Sequence, residues 1–337
     1  MATYYDIFGQ KVQYLSSDPA NVTEGQVWYN STSNTAKFQS ITTSGTWASA
    51  PNNIVTGSQA AGTGDTQNAA ISFSSFPPPL GPSSNASQLY DGSTWTGGAN
   101  MNSQKTWAGA SGSQTAALSA AGYFYPASPP PPVGLRNFAE EYNGSVWTNV
   151  NSLNTSDYGR NSFGTQTATA SVMQAAGGGT GTNEEYDGTS WTTANSLPYN
   201  AYQGASTGSL TTGLTMGGIF APGPTRFNNT TSYDGTNWTS ETVMPAAKVG
   251  ASATGDSTQA LVWGGQGPSP SFVDTTFAYN GTSWAADATM GLARKTFNTR
   301  SGTATSAMTS LGESPETNAT EEYTGAGVPV TKTITTS

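Results

Sequence analysis

The 337-residue chain contains no cysteine and no histidine, and only 9% of its residues are charged. Without cysteine, the sequence offers no disulfide framework. Without either residue type, it cannot build a Ser-His or Cys-His catalytic pair, or a zinc site that uses those ligands. Its 11 basic and 20 acidic residues give a net charge of −9, which argues against a nucleic-acid-binding surface. We therefore expect no nucleic-acid partner, no bound metal and no cofactor.

Long hydrophobic runs are also missing. No apolar stretch approaches the roughly 18 residues of a transmembrane helix, and "MATYYDIFGQ" at the N-terminus lacks the basic and apolar regions of a secretory signal. We expect no membrane insertion and synthesis without a signal peptide. Aromatic residues reach 11% of the chain, which distinguishes it from disordered sequences.

A short motif recurs through the chain at intervals of about 47 residues, a period typical of repeat architectures. Its markers are six tryptophans, five of which follow a tyrosine by five residues, with Asp-Gly or Asn-Gly directly after that tyrosine. Asp-Gly and Asn-Gly favour the tight turns of β-hairpins. The complete tyrosine–tryptophan pairs are Tyr90 and Trp95, Tyr142 and Trp147, Tyr186 and Trp191, Tyr233 and Trp238, and Tyr279 and Trp284. Because they recur once per unit, we interpret them as structural.

Downstream of each tryptophan, stretches rich in Gly, Ala, Ser and Thr lead into short apolar segments that end in glycine, such as "ALVWGG" at 260–265. Four short strands per repeat are typical of a propeller blade. The Gly-Gly pair, the Tyr-Asp/Asn-Gly turn, the Trp, a following Met-Pro or Leu-Pro and a basic residue resemble the kelch repeat family over about residues 45–325. The resemblance implies an all-β fold. Kelch propellers include enzymes, adaptors and adhesins, so it does not imply one function.

Counting the units predicts a six-bladed kelch-like β-propeller over residues 41–337, closed by strands from both termini. "EEYTG" at 321–325 is a third strand whose Trp-bearing partner is missing, and the stretch that ends in Trp47 can supply it. Alternatively, "VPVTKTI" at 328–334 completes that blade alone. Residues 1–40 form a predicted N-terminal attachment arm and β-hairpin, in which "GQVWYNSTSNTAKFQS" at 25–40 resembles a short module of tailed-phage fibre and virion proteins.

The loops that join strands two and three are rich in proline, as in "FYPASPPPPVGLRN" at 124–137. They share one face of the predicted propeller with the loops that lead into the next blade. Aromatic and cationic side chains on this face suit stacking on sugar rings or a protein interface; alternatively, the aromatics seal the junctions between blades. The candidate ligand-binding residues are Trp107, Tyr158, Arg160, Tyr199, Tyr202, Arg294 and Phe297.

Three Glu-Glu pairs precede the repeat tyrosines, at 140–141, 184–185 and 321–322. Neighbouring residues on a strand point to opposite faces, so we expect solvated strand positions and no catalytic residues. We therefore expect a non-enzymatic structural protein of a tailed-phage virion: a tail fibre, tail accessory or surface decoration within a larger assembly. Its arm would bind other virion proteins, and its propeller a host-surface glycan or protein. The alternative is an extracellular carbohydrate-binding or carbohydrate-degrading propeller, a hydrolase or lyase.

Overall fold

The computed structural model describes residues 12–19, 25–41, 45–77, 81–126, 134–158, 161–164, 170–174, 182–199, 201–220, 225–269, 271–297, 299–313, 315–326 and 329–334. Within these ranges the regular structure is entirely β, with 28 strands in seven four-stranded sheets. The chain divides into two compact units. The larger comprises residues 47–323, and the smaller comprises residues 1–46 and 324–337.

The strands, in chain order, are β1 Gln13–Leu15, β2 Val27–Asn30, β3 Thr35–Ile41, β4 Thr46–Ala50, β5 Ala61–Thr66, β6 Ala69–Phe73, β7 Ser87–Tyr90, β8 Trp95–Gly97, β9 Gly109–Gly112, β10 Ala117–Phe124, β11 Gly134–Tyr142, β12 Trp147–Val150, β13 Asn161–Gly164, β14 Ser171–Gln174, β15 Asn183–Tyr186, β16 Trp191–Ala194, β17 Ala205–Thr207, β18 Gly213–Met216, β19 Thr230–Tyr233, β20 Trp238–Ser240, β21 Ser252–Gly255, β22 Ala260–Trp263, β23 Thr276–Tyr279, β24 Trp284–Asp287, β25 Arg300–Thr303, β26 Ser306–Ser310, β27 Thr320–Thr324 and β28 Pro329–Ile334.

Six propeller-like sheets make up the larger unit. Five are antiparallel meanders of four consecutive strands, from β5–β8 to β21–β24, and the sixth has the order β25-β26-β27-β4. The first strands contact one another in chain order, from β5 with β9 to β21 with β25, and β25 also contacts β5. Strand β4, which carries Trp47, is therefore the fourth strand of the last sheet.

Small residues allow the first strands to approach each other closely. Their sequences, such as "GASG" in β9 and "SATG" in β21, are mostly buried. At these junctions, side-chain hydroxyl groups form hydrogen bonds with the backbone of the neighbouring first strand. The Ser206 Oγ donates to the Ser162 carbonyl and accepts from the Ser162 N–H, both at 2.8 Å. The Thr254 Oγ1 donates to the Thr303 carbonyl of the next sheet at 2.8 Å. The Gly/Ser/Thr-rich composition is thus explained by backbone-to-side-chain bonds between buried strands.

The repeated hairpins have one local geometry. In "EEYDGTSW" the Asp187 Oδ1 accepts from the N–H groups of Thr189 and Ser190 at 2.8 and 2.7 Å. Gly188 has a φ of +90°, which only glycine adopts at low cost. The rings of Tyr186 and Trp191 stack, with their centroids 4.8 Å apart. The motif therefore combines a carboxylate-capped turn with an aromatic pair across the two strands.

The same hairpins tie each sheet to the one before it. The Trp191 Nε1 donates to the Asn151 carbonyl of the preceding sheet at 2.8 Å, and the Trp95 Nε1 donates to the Thr320 Oγ1 at 3.0 Å. In the last sheet the Trp47 Nε1 donates to the Thr276 Oγ1 at 3.0 Å. The repeat tryptophans therefore act at the junctions between sheets.

The repeat tyrosines make a parallel set of bonds. The Tyr90 hydroxyl donates to the Glu322 carboxylate of the last sheet at 2.7 Å, and the Tyr233 hydroxyl donates to Glu185 of the preceding sheet. Burial first, and then the bond to Glu185, raises the pKa of Tyr233. The second glutamate of a Glu-Glu pair is thus the acceptor for the tyrosine of the following sheet, where the sequence predicted a solvated position.

The smaller unit contains one sheet with the order β1-β2-β3-β28. The predicted hairpin is present as the antiparallel pair β2 and β3. Asp18 accepts from the Trp28 Nε1 at 2.9 Å, the Asn30 Nδ2 at 2.8 Å and the Lys37 Nζ at 2.7 Å. These bonds, that of Lys37 foremost, hold the Asp18 pKa at about 2.

The predicted boundary between the arm and the propeller differs from the structure at the C-terminus. The sequence assigned residues 41–337 to the propeller, but β28 pairs antiparallel with β3, from Pro329 opposite Ile41 to Ile334 opposite Ala36. Pairing with β28 satisfies the edge of β3 that the hairpin alone would leave open. Residues 1–11 of the predicted arm lie outside the described residues.

Candidate functional site

Aromatic side chains gather at one end of the larger unit. In an antiparallel four-stranded meander, the loops after the second and fourth strands lie at the same end. There, the Trp107 ring stacks on Tyr158 with a centroid distance of 5.1 Å, and the Tyr123 ring lies 4.6 Å from Tyr125. Tyr125 also contacts Phe76 at 5.2 Å. We call Phe76, Trp107, Tyr123, Tyr125 and Tyr158 the aromatic surface. Apart from the buried Phe76, its members are partly exposed.

Backbone conformation places Trp107 in this surface. It has a φ of +53°, and the equivalent residues of other repeats, Gln59, Gln203, Gly250 and Phe297, have φ values from +44° to +68°. The Trp107 N–H donates to the Gln59 carbonyl of the preceding sheet at 3.0 Å, and the Gly250 N–H donates to Gln203 at 2.6 Å. In five repeats of the described chain a left-handed residue thus precedes the first strand, at a conformational cost for residues other than glycine, and at Trp107 and Gly250 it forms a hydrogen-bonded link between sheets.

Three of the seven predicted ligand-binding residues lie together. Trp107 and Tyr158 stack, and Tyr202 is close enough to Tyr158 to contribute, after burial, to the raised pKa of Tyr158. The Trp107 Nε1 is buried and has no hydrogen-bond partner within the described part of the chain. The surface therefore offers stacked rings, while the indole N–H of Trp107 faces the interior.

Tyr199 and Phe297 do not join the aromatic surface. Tyr199 packs on Phe227 at 5.3 Å, and its pKa is raised to about 12 by burial. Phe297 is buried beneath the Lys295 ammonium, which lies 5.2 Å from the ring centroid. Arg160 lies outside the described residues.

Arg294 was predicted to face a ligand, and the structure buries it completely. Its Nη1 pairs with the Glu321 Oε2 at 2.5 Å, and its Nε donates to the Leu311 carbonyl at 2.9 Å. Lys248, at the equivalent position of another repeat, is also buried, and its Nζ donates to the Gly264 and Thr275 carbonyls at 2.9 and 2.7 Å. A cation inside the blade satisfies carbonyl groups that would otherwise lack donors. The repeat cations are therefore internal.

The first glutamate of each pair is also internal, in contrast to the predicted solvated position. The Glu184 carboxylate accepts from the backbone N–H groups of Asn154 and Thr155 at 2.7 and 3.0 Å. Glu140 does the same for Asn102 and Ser103, at 2.7 and 3.0 Å. These carboxylates hold the loop that leads into their own sheet.

Sequence reasoning missed Phe76, Tyr123 and Tyr125. Both tyrosines lie in "AAGYFYP", where an aromatic residue on alternate positions precedes a proline. Strand β10 extends to Phe124 and β11 starts at Gly134, so this hairpin is longer than its counterparts. The Tyr-x-Tyr spacing was the available signal, because alternate residues of a strand share one face.

The described residues contain neither a cluster of metal-binding side chains nor a long apolar helix. No group of three or more acidic or other metal-binding side chains is close enough there to hold an ion. Nor does that part of the chain contain a helix with the length and apolar character needed to cross a membrane.

Comparison with known proteins supports the fold. No family model matches the chain, and no curated protein matches it. Among solved structures, that of YjhT is similar, with a TM-score of 0.65 and 13% sequence identity. The match covers 84% of this chain and 99% of YjhT. At this identity the similarity concerns the all-β propeller-like fold alone.

Proposed function

We propose that the chain is a non-enzymatic binding protein of a tailed-phage particle, in which the aromatic surface recognises a host-surface glycan or protein. The main support for this proposal is the partly exposed stack of Trp107 on Tyr158, with Tyr123 and Tyr125 beside it. Tyrosine and tryptophan supply large contact areas together with a polar group, which is why binding surfaces use them.

The proposed architecture beneath this surface is a closed, six-bladed propeller of the kelch type. Its support is the contact of β25 with β5, together with the sheet that joins β4 to β27. A ring of this kind leaves only short sheet edges exposed. It also holds the loops from adjacent sheets at fixed separations, as a preorganised binding surface requires.

Recognition of a glycan is favoured by the chemistry of the aromatic surface. Ring faces stack on the C–H groups of sugars, and the partly exposed rings of Trp107, Tyr123 and Tyr125 offer such faces. The Arg136 guanidinium lies 4.9 Å from the Phe124 ring centroid, near the loop end of the long hairpin. It adds a cation next to the surface. Enzymatic degradation of the glycan is not supported by the engaged glutamates, so we keep binding as the proposed activity.

The test is binding of the full-length protein to a glycan array and to host cells, with the variants Trp107→Ala and Tyr125→Ala. We expect at least about tenfold weaker binding, because a central aromatic anchor carries a large share of affinity. The control is Val146→Ala, which changes an exposed side chain in a hairpin turn at the opposite end. Unchanged binding by both aromatic variants, with their melting temperatures preserved, would contradict the proposal.

The assignment to a particle rests on the N-terminal hairpin and needs its own test. We propose that the smaller unit attaches to other virion proteins, since the stacked Tyr14 and Tyr29, 5.1 Å apart, leave Tyr14 75% exposed. Mass spectrometry of purified particles should detect the chain in fixed stoichiometry with tail proteins. Its absence from the particles would overturn this part of the proposal and leave the binding activity to be judged separately.

A further inference from the structure

A cavity of about 670 Å³ opens at the end of the larger unit opposite the aromatic surface. It lies where the first strands finish, and residues of all six first strands or their turns line it. The lining is almost entirely Gly, Ser and Thr, with Asp65, Asp256, Gln259 and Arg300 as its larger polar members. A volume of this size is within the usual range of small-molecule sites.

The Arg300 side chain forms the inner end of the cavity. Its Nη2 donates to the Ser162 carbonyl at 2.8 Å. Strands β25 and β13, which carry these residues, are three sheets apart in either direction along the contacts between first strands. The guanidinium therefore spans the space that these strands enclose. Burial lowers the pKa of Arg300 to about 10, so the side chain remains a cation at neutral pH.

Arg300 differs in size and charge from the residues at the equivalent position of the other five repeats. The position two residues before the turn glycine holds Gly62, Ala110, Ser162, Ser206 or Ala253 in the other repeats. None of these five residues is part of the cavity lining, whereas Arg300 is, and its long side chain reaches across to Ser162. The cavity therefore receives its cation from one repeat.

Asp65 gives the cavity an unused acceptor. Its carboxylate has no hydrogen bond or ion pair within the described residues, and partial burial raises its pKa. Asp256, which also follows the turn glycine of its repeat, differs: its Oδ1 accepts from the N–H groups of Thr258 and Gln259 at 2.7 and 3.2 Å. Asp65 is thus a partly buried carboxylate that lines the cavity and is not needed to hold its turn.

We propose that this cavity binds a small, uncharged polyhydroxy compound, such as a monosaccharide or disaccharide unit, and that Asp65 accepts hydrogen bonds from its hydroxyl groups. Sugar hydroxyls both donate and accept, which matches a lining of hydroxyls, carboxylates and strand-end backbone groups. Two carboxylates against one guanidinium disfavour anions, and the near absence of apolar side chains disfavours apolar ligands.

The site is independent of the aromatic surface, so the two proposals are separable. Full-length protein is titrated with neutral hexoses, their disaccharides and inositol, and separately with glucuronate and inorganic phosphate, by calorimetry and ligand-observed NMR. We expect a neutral compound to bind, Asp65→Asn to weaken it by about tenfold, and Thr303→Trp to abolish it. Thr303 is exposed at the cavity rim, where a larger side chain obstructs the opening without entering the core.

Trp107→Ala is the matched control and is expected to leave this binding unchanged. Because Asp65 makes no internal bond, its substitution is also expected to preserve the melting temperature. The proposal is overturned if no neutral compound binds, if glucuronate or phosphate binds as tightly, or if neither Asp65→Asn nor Thr303→Trp alters the affinity. Loss of binding in Trp107→Ala would assign the ligand to the aromatic surface and would also overturn it.

Discussion

The two ends of the larger unit are formed by the same repeats and differ in the side chains they present. At the cavity end, the first strands finish mostly in Gly, Ser and Thr, and Arg300 is the one cation among the described residues that line the cavity. At the other end, the loops carry Trp107, Tyr123, Tyr125 and Tyr158 above buried ion pairs. The cavity end thus offers many small hydrogen-bonding groups, and the aromatic end offers a few large rings.

This contrast has a physical origin in the spacing of the first strands and in the length of the loops. The first strands lie close together, which favours small side chains where they meet: adding a Cβ to Gly64 would place it 2.1 Å from the Ser301 Oγ of the neighbouring first strand. The loops at the other end are longer than the turns that follow the first strands, and they accommodate prolines and rings. Sites built at the two ends are therefore expected to differ in ligand and in tolerance to substitution.

The largest expected effect comes from breaking a buried ion pair beneath the aromatic end. Arg294→Met leaves Glu321 buried without its cationic partner, and we expect a loss of about 3–5 kcal/mol in the free energy of unfolding. Urea denaturation measures it. The neighbouring Lys295→Met is the control, because its pair with Glu313 is partly exposed and is worth about 0–1 kcal/mol. Equal losses of unfolding free energy in the two variants would contradict the expectation that the buried ion pair stabilises the fold more than the partly exposed one.

A smaller effect is expected from the hydroxyl links near the cavity end. Ser206→Ala removes both bonds between the Ser206 Oγ and the backbone of Ser162. It leaves a buried N–H without that acceptor, and we expect about 1–3 kcal/mol of destabilisation by the same measurement. Thr211→Ala, at an exposed turn position of the same sheet, should stay within about 0.5 kcal/mol of the parent. A neutral Ser206→Ala would refute the idea that hydroxyls hold the first strands together.

The smallest effect separates two tryptophans that share one repeat position. The Trp191 Nε1 donates to the Asn151 carbonyl, whereas the Trp147 Nε1 has no partner within the described residues. Both side chains are buried and lie next to their repeat tyrosine. Replacement by phenylalanine should therefore cost about 1 kcal/mol more at Trp191 than at Trp147. The difference in urea midpoints checks this, and equal costs would mean that packing alone matters at the junctions.

The recurrence of "YDGTSW" and its variants predicted the hairpins correctly, because a turn is determined by its own few residues. The Gly-Gly pair was a less complete guide to backbone conformation, because some repeats lack its first glycine. Ala121 and Leu311 stand where other repeats have Gly217 and Gly264, and they adopt φ values of +58° and +61° against +69° and +64°. Neighbouring strands impose the left-handed backbone at these positions even when the residue does not favour it.

The aromatic surface was partly predictable. Trp107 and Tyr158 were identified because the strand order alone predicts that loops at one end of a meander converge. Arg294 and the first glutamates were misplaced because the strand order does not determine whether a charged side chain points outward or into the blade. Each is hydrogen-bonded to a backbone group of a segment distant in sequence. Only the three-dimensional structure shows that these groups meet and therefore explains why the charged side chains are buried.

The sequence by itself determined the repeat, its turns and the all-β character, since these follow from local conformational preference and from the alternation of side chains along strands. The tertiary structure alone decided that β28 pairs with β3, that repeat cations and glutamates are internal, and that Arg300 closes a cavity beside an unpaired Asp65. Such features depend on contacts between residues far apart in the chain, and a local pattern carries no information about which of those residues meet.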